Sequence, residues 1–421
     1  MPTITEFTRN SKMKELLSVE EARTLLVESL EPASGDDERV AVAEARGRIT
    51  SVPVEAPMHV PPFAASAMDG YAVCSTDAVF ASPPPHTVAV QGVSRAGHPF
   101  DEALASDSAV RIFTGAPLPA RSDSIVIQEN AVALDAHVRF DETPTRGRWV
   151  RPAGHDVARG TEILPAGRRL NAFDLASLAS CGIAHVRVRR RLRVALFSTG
   201  DELRDTGATL GAGQIYDSNR LVLRELLGSG AFVLRDLGIL PDDADLTART
   251  IESAARDNDA LLTSGGVSVG EADYVRSAIE RVGRLEFWKV AVKPGKPLAY
   301  GRVGACAFFG LPGNPVSTIV TFLLLVKPAL ERLAGTHAAE PVRVWATSDV
   351  DIEHEVGRAE YQRGIYRIRD GELRVATTGD QGSNRIGSFN GANCLIELPK
   401  ENPGVLAETR VQVLPFRGLL D

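Results

Sequence analysis

The sequence predicts a multidomain chain in which an α/β unit is joined to mainly β units. Three observations carry this expectation. First, 421 residues with 44% hydrophobic content exceed one ordinary core, so about two to four domains are expected. Second, between residues 191 and 330 short apolar runs alternate with helical patterns: "LRVALFSTG", "DSNRLVLRELLGSG", "AFVLRDLGIL", "DLTARTIESAARD", "DALLTSGG". Such alternation implies a parallel sheet covered on both faces. Third, the stretches 52–148 and 331–421 hold short alternating runs such as "HTVAVQGV", "DSIVIQENAVAL", "YRIRDGELRVATTG" and "RVQVLPF", the pattern of β-rich units.

In chain order, residues 16–50 read as helical. "SVEEARTLLVESL" opens on Ser18, an N-cap residue, with Glu21 three positions on, a capping-box pattern. Residues 52–148 form a mainly β domain. The segment 150–190 carries "NAFDLASLASCGI", expected to return and pack with the N-terminal helix. That makes 15–51 and 149–190 one discontinuous helical domain, with the β domain inserted in it. In the α/β domain, 191–330, a helix over 218–227 starts at Asp217 or Ser218 and stops at Gly228. "VSTIVTFLLLV" (316–326) is too short to span a membrane and reads as a buried core helix. A β domain over 331–421 closes the chain.

Composition excludes several function classes. A net charge of -7 argues against a nucleic-acid binder with a broad basic face. No apolar run approaches the roughly 20 residues of a membrane span. The N-terminal "MPTITEFTRNSKMKELL" lacks a signal peptide's apolar stretch. The four cysteines are scattered without a CxxC pair, and the eight histidines show no HxxxH spacing. A disulfide framework and a His-based metal site are therefore not expected, and a cytoplasmic setting fits. Only seven of the 47 basic residues are Lys, yet three of these, Lys289, Lys293 and Lys296, fall in "FWKVAVKPGKP" (287–297). Lys is a compact point charge where Arg is a planar fork, so this cluster suggests ammonium groups facing small anionic oxygens.

In an open α/β sheet ligands bind at the carboxyl ends of the strands. There the chain places Ser198-Thr199-Gly200-Asp201-Glu202, Pro241-Asp242-Asp243, Ser264-Gly265-Gly266 and Pro312-Gly313-Asn314-Pro315. "LLTSGGVSVGEADYV" (261–275) is the most informative, since it combines glycines and hydroxyls, including Ser268, with Glu271 and Asp273. Gly265, Gly266 and Ser264 let a phosphate approach closely, with tight turns presenting free backbone N–H groups. Carboxylates in the same place would repel it. A divalent cation resolves the conflict, and Mg²⁺ favours a few carboxylates, waters and substrate phosphates. Neither GxxxxGK[ST] nor GxGxxG occurs, so a P-loop or a dinucleotide site is not indicated.

Further candidates lie elsewhere. "PPFAASAMDGYAV" (61–73) sets Ser66 and Asp69 in a turn, "RIFTGAPLPARSDSIVIQE" (111–129) sets Thr114 after a strand, and "VRPAGHDV" (150–157) carries Arg151 and Asp156. The C-terminal domain adds Arg363 in "YQRG" and Ser383 in "TTGDQGSN". Spread over three domains, these suggest a cleft site, shared between subunits.

"MDGYA", "TGAPLP", "FSTGDEL", "GQIYDSNR", "TSGGVSVGEADY", "FWKVAVKPGKP" and "GLPGNPVS" occur in the order and spacing of the molybdopterin molybdenumtransferase (MoeA) family, which includes the gephyrin E domain. The chain resembles that family from about residue 15 to 415. The resemblance implies an elongated four-domain subunit with a three-layer, adenylyltransferase-like molybdopterin-binding α/β domain and a C-terminal β-barrel-like domain. It also implies a homodimer with the cleft between subunits, and the adenylyltransferase of the same pathway as a further partner. The implied activity inserts molybdate into adenylylated molybdopterin, with Mg²⁺-dependent hydrolysis of the adenylate and release of AMP. Tungstate matches molybdate in shape and charge, so both oxyanions stay open.

The site residues follow from the same resemblance. Glu202, Asp242 and Asp273 are implied as metal acids. Lys293, Lys296, Pro297, Arg363 and Ser383 are implied for molybdate, with Lys289 close by. Ser264, Gly265, Gly266, Ser268, Pro312, Gly313, Asn314 and Pro315 are implied for the adenylylated pterin. Asp69, Thr114, Arg151 and Asp156 are implied as the contribution across the dimer cleft, and join Asp273, Lys289 and Lys293 as catalytic candidates. Two departures stand out: His155 where an acid is usual, and "ARSDSIV" around Arg121 where a "GAD"-like run is common. A pathway adenylyltransferase and a non-catalytic gephyrin-like scaffold are the alternatives. The extra β domains argue against the first, and the intact acids and lysines against the second.

Overall fold

The computed structural model describes residues 16–228, 230–266, 274–336 and 340–420. Helix α1 (Val19–Glu28) begins at Ser18, whose side chain accepts from the Glu21 N–H while Glu21 reaches back to the Ser18 N–H. That reciprocal cap is the predicted one. The helix ends at Ser29, and the rest of 16–50 holds no further α-helix, only a 3₁₀ turn at Val42–Glu44. Glu31-Pro32 cannot continue a helix, and the chain turns into a strand at Glu38–Ala41. The apolar face of α1, with Val19, Ala22 and Leu26, is buried with Leu323, Leu330 and Leu333 of the α/β domain. It does not pack on the helix Ala172–Ser180, whose Leu178 lies with Val42, Ala45 and Val186. The two predicted halves meet through strands, Glu38–Ala41 running antiparallel to His185–Val188.

Residues 65–151 hold a six-stranded sheet, in the order Ser124–Ile127, Gly70–Val73, Ser108–Ile112, His86–Ser94, His137–Phe140, Ala131–Leu134. Its core gathers Tyr71, Val88, Val126 and Phe140.

The α/β domain is built from strand β1 (Leu192–Thr199), helix α2 (Ser218–Leu227), β2 (Phe232–Leu240), α3 (Ala244–Asp257), β3 (Ala260–Ser264), α4 (Tyr274–Val282), β4 (Arg284–Lys289), β5 (Pro297–Val303), β6 (Cys306–Leu311) and α5 (Pro315–Thr321). A fully buried π-helical turn, Phe322–Val326, carries α5 into α6 (Lys327–Ala334), so "VSTIVTFLLLV" is a core element. The sheet order is β2-β1-β3-β6-β5-β4. Alternation along the strands makes three layers. Val194, Leu196 and Leu262 face α2 and α5, while Ala195, Phe197 and Leu261 face α3 and α4. The expected parallel sheet holds for four of its six strands. β2, β1, β3 and β6 are parallel, but β5 and β4 run antiparallel. Only Gly304 and Ala305 separate β5 from β6, far too few residues for a crossover, so these strands can only form a hairpin.

The C-terminal strands close on themselves. β7 (Val344–Ser348), β8 (Ala359–Arg369), β9 (Glu372–Thr377), β10 (Cys394–Leu398) and β11 (Arg410–Pro415) pair in the ring β7-β9-β8-β10-β11-β7. The short strand Val292–Lys293 joins β8 in parallel, which ties the α/β domain to the barrel. Among the described residues no helix is long and apolar enough to cross a membrane.

One ion pair fixes the entrance to the α/β domain. Asp259, just before β3, accepts from Arg190 Nη1 and Nη2 at 2.7 and 2.8 Å and from the Arg193 N–H at 2.8 Å. Burial alone would raise its pKa, but these donors outweigh it and hold the carboxyl below its ordinary value. Asp259→Asn is therefore expected to cost roughly 1–3 kcal/mol in urea denaturation at neutral pH. A depressed carboxylate contributes its stability above the unfolded-state pKa and loses it as pH falls through the folded value. Wild type and variant should accordingly converge in acid.

Candidate functional site

The strand order reverses around β1, so the crevice lies at the carboxyl ends of β1 and β3. Two turns meet there. Gly265 and Gly266 follow β3 with φ of +91° and +67°. A Cβ on Gly265 would lie 2.7 Å from the Thr199 carbonyl oxygen, and one on Gly266 would lie 2.4 Å from Val275 Cγ2 and 2.7 Å from Thr199 Oγ1. Only glycine fits both the backbone and the space. The turn after β6 comes so close that a Cβ on Gly313 would be 3.8 Å from Gly265 Cα. The expectation of free backbone N–H groups needs adjusting, because the Gly265 N–H is taken by the Leu311 carbonyl at 3.1 Å.

Asn219, in the first turn of α2, was not among the predicted site residues. It is buried, and its Nδ2 donates to Ser264 Oγ at 2.8 Å and to the Gly313 carbonyl at 2.6 Å. One amide thus locks the two turns together. Among the described residues its Oδ1, Ser198 Oγ and Thr199 Oγ1 are buried without a hydrogen-bond partner, so polar atoms open to further bonding collect at the crevice. The "YDSN" run was visible in the sequence, but nothing local marked its Asn as a clamp.

Acids line the next part of the crevice. Asp201 Oδ1 accepts the Asp242 N–H at 3.2 Å. The pKa of Asp242 is raised, by burial first and then by the charges of Asp201 and Glu202. Nearby Asp205, Asp217 and Asp236 all pair with Arg220. Among the described residues no Arg or Lys pairs with Asp201, Glu202 or Asp242, and no three acidic, Cys or His side chains form a complete metal site by themselves. Beside these acids lies an open cleft of about 510 Å³, lined by Gly200, Asp201, Arg204, Asp205 and Pro241 among others. Ser268, Glu271 and Asp273 lie outside the described residues.

The barrel contributes a second cluster. Asn314 Nδ2 donates to Ser383 Oγ at 3.1 Å, and the Val316 N–H donates to the Ser383 carbonyl at 3.1 Å. The 380s loop therefore sits on the turn after β6. Arg363 is fully buried on β8. Its Nε donates to Ser388 Oγ at 2.9 Å and its Nη2 to the Gly382 carbonyl at 3.3 Å. Among the described residues no carboxylate pairs with it, and burial brings its pKa down to about 10. Lys293 Nζ lies 3.2 Å from Glu360 Oε1. Lys289 and Lys296 are exposed, and Pro297 starts β5. Among the described residues no hydrogen bond or ion pair joins the three lysines to Arg363 or Ser383, so the predicted oxyanion set is brought to one domain junction but not into mutual contact.

The inserted sheet carries its own group. Asp69 Oδ1 accepts from the Thr114 N–H and Thr114 Oγ1, both at 2.8 Å, and these bonds hold its pKa below the ordinary value. Arg111 lies 5.0 and 4.8 Å from the ring centres of Tyr71 and Phe113. Arg151 is exposed on a short strand paired with Ala65–Ser66. Asp156 and His155 are exposed in the following turn, and among the described residues no ion pair joins Arg151 to Asp156. Arg121, the other departure, is a structural residue. It pairs with Asp77 and donates to the Leu104 and Ala105 carbonyls at 3.2 and 2.9 Å. Among the described residues no hydrogen bond or ion pair links this sheet to the α/β crevice.

The chain thus joins a three-layer α/β domain with a glycine-lined, acid-rich crevice to a closed barrel holding a buried guanidinium that, among the described residues, has no carboxylate partner. Comparison with known proteins makes the class specific. Residues 17–182 match the MoeA N-terminal region (domain I and II), 195–332 a probable molybdopterin binding domain, and 346–416 the MoeA C-terminal region (domain IV). The chain is 40% identical over 408 residues to a molybdopterin molybdenumtransferase of Haemophilus influenzae, covering 96% of this chain and 100% of the relative. It is 30% identical to a gephyrin of Dictyostelium discoideum, covering 91% of this chain and 60% of that protein. A crystal structure of a molybdopterin biosynthesis MoeA protein from Pyrococcus horikoshii superposes with a TM-score of 0.79 at 29% identity, over 96% of this chain and 100% of that one. The chain belongs to the molybdopterin molybdenumtransferase (MoeA) family.

Proposed function

We infer that this protein is a transferase of molybdenum cofactor biosynthesis that inserts molybdate into adenylylated molybdopterin, with hydrolysis of the adenylate and release of AMP. The observation that carries the reading is the meeting of two anion-receptive groups at one junction. The Gly265-Gly266 turn packs on Thr199, just before Asp201 and Glu202, and meets the Pro312-Gly313-Asn314 turn, while Ser383 bonds Asn314 and Arg363 bonds the neighbouring Gly382 carbonyl. The turns, with Ser264 and Pro315, receive the phosphates of the pterin adenylate, and Asn219 keeps them at a fixed separation. Arg363, Ser383, Lys293 and Lys296 receive the oxyanion, with Lys289 and Pro297 beside them. Positioning and electrostatics set up in advance do most of the catalytic work.

The acids fit a Mg²⁺ ion. Among the described residues Asp201, Glu202 and Asp242 have no cationic partner, and Asp242 is raised by burial first and then by its neighbours' charges, a donor set that a divalent cation relieves. Glu202 and Asp242, with Asp273 from outside the described residues, would hold it, and when bound it would offset charge on the substrate's phosphate oxygens. A readout independent of turnover follows. Mg²⁺ should raise the melting temperature of wild type and have no such effect on Asp242→Asn. Without the ion the variant should melt higher than wild type at neutral pH. A carboxyl whose folded pKa is raised weakens the fold as pH rises through that value, and Asn removes this penalty.

Asp69, Thr114, Arg151 and Asp156 complete the site from a second subunit of a homodimer. What supports this is a preorganised Asp69–Thr114 pair that, among the described residues, has no bonded link to the crevice of its own chain. A cytoplasmic location fits four cysteines that are all buried free thiols. Molybdate and tungstate both suit the oxyanion group, and the adenylyltransferase of the pathway is the expected supplier of substrate. AMP release from adenylylated molybdopterin, with and without molybdate, tests the reading, which requires molybdate dependence.

A further inference from the structure

The Val292–Lys293 strand and β8 place Lys293 directly opposite Glu360. Glu360 is only 3% exposed. Its Oε1 meets Lys293 Nζ at 3.2 Å, while among the described residues its Oε2 has no hydrogen-bond partner. Among the described residues His354 also stands near, with Nε2 at 4.0 Å from Oε2, and the Glu360 charge acts on the Arg363 guanidinium as well. The ring of His354 is fully buried and held by two carbonyls, Asn402 at 2.5 Å and Arg358 at 2.9 Å. A buried carboxylate with one oxygen unbonded does not recover its desolvation cost, so this pair is a poor stabiliser of the fold.

Its position points to another role. Lys293 and Glu360 face an open cleft of about 660 Å³ at the mouth of the barrel, together with Gln362 and Gln381. Gln381 in turn brackets the backbone of Arg363. Its Oε1 accepts the Arg363 N–H at 2.8 Å and its Nε2 donates to the Arg363 carbonyl at 3.2 Å. Glu360 and Arg363 thus lie on one strand, β8, with Lys293 paired beside it. We propose that Glu360 is a positioning residue: it fixes the direction of the Lys293 ammonium at the junction of barrel and α/β domain, and so sets the affinity for the oxyanion. Glu360 acts through Lys293 and touches no reacting atom. The inference rests on the reading of Lys293 as an oxyanion-binding residue.

The test is a double-mutant cycle on steady-state AMP release, with molybdate and adenylylated molybdopterin varied separately. Glu360→Gln should raise KM for molybdate roughly tenfold, the worth of one bond to a charged group. It should leave kcat and KM for the pterin within about twofold of wild type. In a Lys293→Ala background the same change should add nothing, because the residue it positions is gone. Glu360→Asp keeps the charge one methylene short and should show a smaller rise; it serves as the test variant if Glu360→Gln does not fold. Equal losses in both backgrounds would overturn the proposal, as would an unchanged molybdate KM in Glu360→Gln beside a raised one in Lys293→Ala. If Lys293→Ala itself leaves the molybdate KM unchanged, the oxyanion reading of Lys293 falls, and the role of Glu360 with it.

Discussion

Gly266→Ala is expected to lower kcat/KM for AMP release by on the order of a hundredfold while leaving a folded chain. The added Cβ would stand 2.4 Å from Val275 Cγ2 and 2.7 Å from Thr199 Oγ1, closer than real Cβ atoms come to their neighbours. Val275 is buried at the start of α4 and Thr199 ends β1, so neither can move without shifting the crevice. The φ of +67° adds a conformational penalty of about 1 kcal/mol for an L side chain. The strain falls on a strand-end turn, so the sheet should survive. Circular dichroism and a melting curve near wild type, together with the lost activity, would locate the damage in the turn. Near-wild-type kcat/KM would show that the turn does not position substrate.

Arg363→Lys is expected to be the second large effect. The guanidinium is fully buried, donates to Ser388 Oγ and the Gly382 carbonyl, and among the described residues has no carboxylate partner. Burial brings its pKa down to about 10. The charge is therefore retained at neutral pH at a cost to stability. For a base lowered in this way, the cost is full below the folded value and fades as pH rises from about 10 towards the ordinary arginine value. A fold keeps such a group where an anion compensates it. Lys offers a point charge in place of a planar fork and cannot reproduce both donations. Molybdate KM should rise by roughly 10- to 100-fold, from the loss of about 1.5–3 kcal/mol of charged hydrogen bonding. Urea denaturation should register a loss of roughly 1–3 kcal/mol in the absence of oxyanion. An unchanged molybdate KM would exclude Arg363 from the oxyanion site.

Local chemistry was legible in the sequence wherever it decides structure alone. The Ser18–Glu21 box, the Asp217 cap and Gly228 stop of α2, and the buried run 316–326 all stand as expected. The strand-end turns were readable because glycines and acids at those positions carry their own physical reasons. What could not be read depends on contacts distant in sequence. The antiparallel β5 and β4 share the apolar composition of the parallel strands, and only the brevity of the Gly304-Ala305 link betrays the hairpin. Helix α1 was assigned to the wrong neighbour because an amphipathic face announces burial without naming what covers it. Asn219 reads as one polar residue in a helix start until the structure brings Ser264 and Gly313 to it. Glu360 reads as a strand acid until Lys293, 67 residues earlier, is found opposite. Arg121 drew attention as a departure, and its bonds to Asp77 and two carbonyls give it a purely structural role.

The most direct measurement is AMP release from adenylylated molybdopterin by the purified protein with Mg²⁺, with and without molybdate, together with an assay for active molybdenum cofactor. The account predicts release that depends on molybdate, accompanied by cofactor formation. Tight binding of adenylylated molybdopterin without molybdate-dependent AMP release would contradict it, and would mark the crevice as a binding site that does not turn over.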